Sequence, residues 1–111
     1  MAGKGSMPNV QLRGTTVTYE ATGAISLNCG LALLDGSAGA TAMTLAVGSD
    51  GQEISIISTD STDCVVTVAG GLNGGTIVTF TEAYEYATLR CDGTQWYCIA
   101  GGTALNSSVV S

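Results

Sequence analysis

Leu89–Gly102 reads LRCDGTQWYCIAGG. It holds two of the four cysteines, the only tryptophan, and an Asp-Gly pair between two apolar runs. Either it is a metal or redox site, or it is a β-hairpin whose cysteines fill a core. Asp92-Gly93 suits a two-residue type I′ turn, which needs positive φ at both central residues. That turn would pair Cys91 with Thr94, Arg90 with Gln95, Leu89 with Trp96 and Ala87 with Cys98. Leu89, Cys91, Trp96 and Cys98 would then share one face, the face expected to pack in a core or a subunit contact. In this register Cys91 and Cys98 are about 13 Å apart at strand rise, beyond the ~7 Å Cα reach of a disulfide.

Structural zinc usually wants cysteine pairs two to four residues apart, often with histidine. Cys29, Cys64, Cys91 and Cys98 offer no such pair, and the chain has no histidine. All four sit on alternating runs beside Ile, Val or Trp, so they read as reduced core residues. The even count still leaves room for a non-local disulfide, such as Cys29 or Cys64 with Cys98.

The same alternation extends outward from the hairpin. Thr16–Tyr19, Ala24–Leu34, Thr41–Val47, Glu53–Ser58, Cys64–Val68 and Thr76–Phe80 all show period two or β-branched runs. Gly30 marks a bulge or a break in the second of these. Turn clusters separate the runs at Asp35–Gly39, Gly48–Gly51 and Thr59–Thr62, and Gly70–Gly75 reads as a flexible connection. No segment has a helical period. About eight short strands at spacings of roughly 8–12 residues predict an all-β fold, an antiparallel β-sandwich or jelly-roll-like barrel.

Length and charge refine this picture. The chain has 111 residues, the size of one domain. Residues 1–14 hold Lys4, Arg13 and the only proline, Pro8, and no acid, so they read as an extended N-terminal arm. In the β domain, 15–111, a single cation, Arg90, stands against nine acids. The net charge of −6 argues against nucleic acid or an anionic membrane as partner. No stretch is long and apolar enough for a membrane-spanning helix, and the start lacks the apolar core of a secretory signal.

Charge of either sign is scarce. Charged residues make up 11% of the chain, against about 25% in soluble domains. Outward strand positions carry Thr, Ser and Ala, where a free monomer would carry Lys and Glu. Much of this exterior is therefore expected to face other protein. Catalysis is not expected: the commonest general base is missing and no Gly-x-Ser-x-Gly turn occurs. Asp50, Asp60 and Asp63 lack the twelve-residue calcium-loop pattern and read as turn caps. Glu82 and Glu85, with Tyr84 and Tyr86, suit a sugar site but read first as a solvated turn.

The order of pieces from Leu45 to Gly102 resembles a known family. It runs Leu45-Ala46-Val47-Gly48, Gly51-Gln52, Ile54-Ser55-Ile56 and Val66-Thr67-Val68. Gly74-Gly75-Thr76-Ile77-Val78-Thr79-Phe80 and Ala87-Thr88-Leu89 follow, and Asp92-Gly93-Thr94-Gln95-Trp96 leads to Gly101-Gly102. This resembles β-structural domains of tailed bacteriophages, found in head decoration (cement) proteins, head fibres and tail fibres. The chain departs from that pattern at Cys91 and Cys98, and by one extra residue between Gly93 and Trp96.

The resemblance implies a virion structural protein on the capsid exterior, made in the host cytoplasm, where thiols stay reduced. It implies a homotrimer that clamps neighbouring copies of a major capsid protein, with no cofactor. Lys4, Met7, Val10, Leu12 and Arg13 are the expected capsid-contact arm. The rival expectation is a fibre module binding host glycan through Trp96 or the Tyr84/Tyr86 pair.

Overall fold

The computed structural model describes residues 15–72, 75–102 and 109–110. Ten strands and no helix lie within them: β1 (Thr15–Tyr19), β2 (Gly23–Ala24), β3 (Cys29–Leu34), β4 (Thr41–Leu45), β5 (Glu53–Ser58), β6 (Cys64–Leu72), β7 (Gly75–Phe80), β8 (Tyr86–Cys91), β9 (Trp96–Gly102) and β10 (Val109–Val110). The all-β reading holds. The antiparallel sandwich or jelly roll does not.

The strand order is β1-β3-β5-β8-β9-β6-β4-β2, with β7 on β6 and β10 on β7. Odd strands β1, β3 and β5 pair in parallel, and so do even strands β2, β4 and β6. The chain thus alternates between two walls and advances one strand per circuit, a solenoid-like stacking. Antiparallel pairing is confined to the C-terminal part, where β8 and β9 extend the odd wall and β7 and β10 extend the even one. Alternation along a strand is the same in parallel and antiparallel ladders, so it cannot choose between them. The turn clusters carry the chain across to the other wall instead of back along the same one.

Inward residues of the two walls form one core. Ala32, Ile56 and Ala87 stand in one row across the odd wall, and Ile54 and Leu89 in the next. Across the even wall, Met43, Val66 and Val78 form one row and Thr41, Cys64 and Phe80 another. All of these are buried. Gly30 is the extra residue of a bulge, skipped between the Thr15–Cys29 and Thr16–Leu31 pairs. Val47, grouped by alternation with Met43 and Leu45, lies beyond the end of β4 and is exposed.

Two loops differ from expectation. Gly70, Gly71 and Leu72 are not a flexible link but the end of β6, and buried Leu72 pairs with Trp96. Gly70 has φ +80°, and a Cβ there would lie 2.5 Å from the Thr94 carbonyl oxygen, so only glycine fits. The turn before β8 is not fully solvated either. The Glu85 carboxylate is buried and accepts the Thr81 N–H at 2.6 Å. Tyr84 is held at φ 67° while its N–H donates to the Ser58 carbonyl.

Candidate interaction surface

The β8–β9 hairpin closes with four residues, not two. Cys91 faces Trp96, Arg90 faces Tyr97 and Leu89 faces Cys98. Of the two turn residues only Gly93 has positive φ, which excludes type I′. The cause is the Asp92 side chain. Its Oδ1 accepts the N–H of Thr94 at 2.8 Å and of Gln95 at 2.9 Å, and its Oδ2 accepts the Tyr97 hydroxyl. The Asp92 N–H donates to the Gln95 carbonyl and completes the loop.

The backbone N–H groups of Gln95 and Thr94, helped by the Tyr97 hydroxyl, hold the Asp92 carboxyl below its ordinary value of 3.8. A depressed folded-state pKa means stability present above the unfolded value and lost as pH falls through the folded one. We expect the Asp92 carboxyl carbon to titrate by NMR below 3.8, with the Thr94 and Gln95 amides following it. A midpoint at or above 3.8 would refute the loop geometry.

Leu89, Cys91 and Trp96 do share a face, and it points into the protomer's own core. Cys98, beside them, is half-buried. None of the four cysteines is joined in a disulfide. Burial pushes the Cys98 thiol up, partly offset by the Ala100 backbone, and the thiol itself donates to the Ala100 carbonyl at 3.4 Å. The true register sets Cys91 one diagonal step from Cys98, closer than the sequence reading placed them. Among the described residues, no three His, Cys, Asp or Glu side chains are arranged to hold a metal ion. Asp60 caps its turn through the Thr62 N–H, and Asp35 does the same for Ser37.

The outer faces of the walls are the larger feature. On the odd wall, one row reads Thr16, Leu31, Ser55, Thr88, Ala100, and the next reads Thr18, Leu33, Ile57, Tyr86. Ser55 and Thr88 hydroxyls share a hydrogen bond of 3.0 Å along the first row. An exposed ion pair, Arg90 to Glu53 at 3.5 Å, borders these rows. On the even wall the rows are Ala42, Val65, Thr79 and Thr44, Thr67, Ile77, with no charge in either. A bulge between the Leu89–Cys98 and Thr88–Ala100 pairs leaves Ile99 without a partner across the ladder, 54% exposed.

Leu31, Leu33 and Ile57 were not singled out by alternation. A signal was present: Leu31–Leu34 and Ile54–Ile57 are nearly continuous apolar runs, typical of strands covered on both faces.

For the glycan-binding expectation, Trp96 is fully buried and its Nε1 donates to the Ala46 carbonyl, so its ring offers no stacking platform. Tyr84 is 65% exposed and Tyr86 lies on the outer odd wall. A shallow cavity of about 220 Å³ opens beside the hairpin, lined by Asp50, Arg90, Cys91, Asp92, Tyr97 and Ile99. Lys4, Met7, Val10, Leu12 and Arg13 lie outside the described residues. The sequence matches no protein-family model and no curated protein.

Proposed function

We propose that this chain is a self-associating structural module of a phage virion, most simply a capsid decoration protein. One observation carries the reading: both outer walls present Leu, Ile, Val, Thr and Ala in place of solvating charges. Each wall of about four strands by five residues covers roughly 300 Å² in projection. A standard interface needs about 800 Å² per partner. A ring in which every copy uses both walls, as in a trimer, covers about 600 Å² per copy over two contacts, twice what a pair using one wall covers. Lys4 and Arg13 bring the positive charge that an acidic capsid surface would meet.

Co-sedimentation with expanded phage heads, alongside light scattering of the free protein, tests this. A homo-oligomer, trimeric for the clamp, that pellets saturably with heads is the expected result. A monomer at micromolar concentration that ignores heads would overturn the proposal. The second reading, a glycan-binding fibre module, rests on the cavity beside Tyr97, where an aromatic ring, Arg90 and Asp50 meet. Saturable binding on a glycan array, abolished by Tyr97→Ala, would favour it instead.

A further inference from the structure

The outer faces of the two walls differ in the size of their side chains. Long ones stand on the odd wall: Leu31, Leu33, Ile57 and Tyr86. The even wall presents Ala42, Val65 and Thr79 in one row and Thr44, Thr67 and Ile77 in the next. Each of these rows has one larger aliphatic residue among shorter ones, with no leucine and no aromatic ring. Ala42, Thr44 and Thr67 are exposed, and Val65, Ile77 and Thr79 are half-buried.

The walls differ in charge as well. Arg90 is the only Lys or Arg in residues 15–111. With Glu53 and Tyr97 it forms the row that borders the odd wall. Among the described residues, therefore, no cation borders the even wall. A carboxylate does: Asp63 is exposed and precedes β6 in phase with outward Val65 and Thr67.

These differences decide between three pairings. Stacked sheets lie about 10 Å apart, and they reach the density of a protein interior when large side chains of one enter gaps on the other. Odd on odd opposes Leu, Ile and Tyr to their like and holds the sheets apart. Even on even opposes Ala and Thr to Ala and Thr, which leaves voids and offers Asp63 no cation. Odd on even sets long side chains against short ones and brings Arg90 toward a face flanked by a carboxylate.

We infer that the odd wall of one copy docks on the even wall of the next. The inference rests on the self-association reading and names the partner of each wall within it. A face that meets a different face repeats from copy to copy, and the rotation between copies closes a ring or extends a stack. A face that meets itself ends with a pair.

Two full-length variants test it, each blocked on one wall. Leu33→Lys/Ile57→Lys blocks the odd wall and Val65→Lys/Thr67→Lys the even one. All four positions point outward and none is buried. Each variant alone should lose the wild-type mass in sedimentation velocity. Mixed, the two keep one intact odd-on-even contact. Amides of Thr44, Thr67 and Ile77 in an isotopically labelled odd-blocked chain should then shift saturably as the even-blocked chain is added. Association in the mixture should be at least tenfold tighter than either variant shows with itself. If a double variant does not fold, Leu33→Lys and Thr67→Lys alone make the same comparison. An even-blocked chain that still assembles by itself overturns the inference, and so does a mixture no tighter than its parts. The wild type separates this failure from that of the self-association reading. A wild type that stays monomeric at every concentration removes both, whereas an associating wild type with no preference in the mixture removes the docking inference alone.

Discussion

Replacing Trp96 with alanine is expected to destabilise the fold by about 3–5 kcal/mol, the usual cost of deleting a large buried aromatic. Domains of this size are stable by only about 5–15 kcal/mol in total, so the variant should sit near unfolding at room temperature. The reason is position. Trp96 is 0% exposed, faces Cys91 on β8 and pairs with Leu72 of β6, so it stands where the two walls meet. Its Nε1 donates to the Ala46 carbonyl at 2.9 Å and ties β9 to the end of β4. A Cβ on Gly48 would lie 2.9 Å from the Trp96 ring, so the loop after β4 closes directly on the indole.

Trp96→Phe separates the two contributions. It keeps most of the apolar volume but orphans the Ala46 carbonyl, which should cost about 1–3 kcal/mol. Urea unfolding followed by circular dichroism measures both. A loss under about 1 kcal/mol for Trp96→Ala would mean that the walls do not depend on this side chain.

The hairpin also shows what a sequence makes legible. The register read from Asp92-Gly93 is off by two residues, yet Leu89, Cys91, Trp96 and Cys98 still emerge on one face. Side chains alternate with period two, so an even slip leaves every residue on its own side. Burial in β5 and β8 was readable for the same reason, because Ile54, Ile56 and Leu89 alternate with outward neighbours; in β3 the bulge at Gly30 shifts the phase and Ala32 sits between two leucines. Wall assignment was not readable. The turns at Asp35–Ala40 and Thr59–Asp63 have hairpin-like composition, and nothing local says that they cross to the opposite wall. Leu72 was hidden because four glycines around it read as a linker. Glu85 was hidden because a carboxylate between two tyrosines reads as solvated, and only the fold supplies the Thr81 N–H that it accepts.

The outer surface was legible in composition and not in place. Scarce charge implied covered faces, but which residues those faces carry depends on the parallel register that sets Leu33 beside Ile57. That pair gives the sharpest handle on the proposed assembly. Leu33→Lys/Ile57→Lys should convert the oligomer to a monomer, with an association constant at least ~1,000-fold weaker, equivalent to about 4 kcal/mol. An ammonium group buried at an interface without a partner costs several kcal/mol in desolvation, and both leucine and isoleucine contacts are lost as well.

In the isolated protomer both side chains point outward and are already half-exposed, so lysine stems can lie along the wall with their charges in water. The melting profile of the monomer should therefore stay cooperative and its circular dichroism all-β. Ser37→Lys, on the exposed turn between β3 and β4, adds the same charge away from the wall and should leave the oligomer intact. Sedimentation velocity across a dilution series reads all three proteins. If the double variant keeps the wild-type mass at every concentration, the odd wall is not an interface, and the scarcity of charge on it needs another explanation.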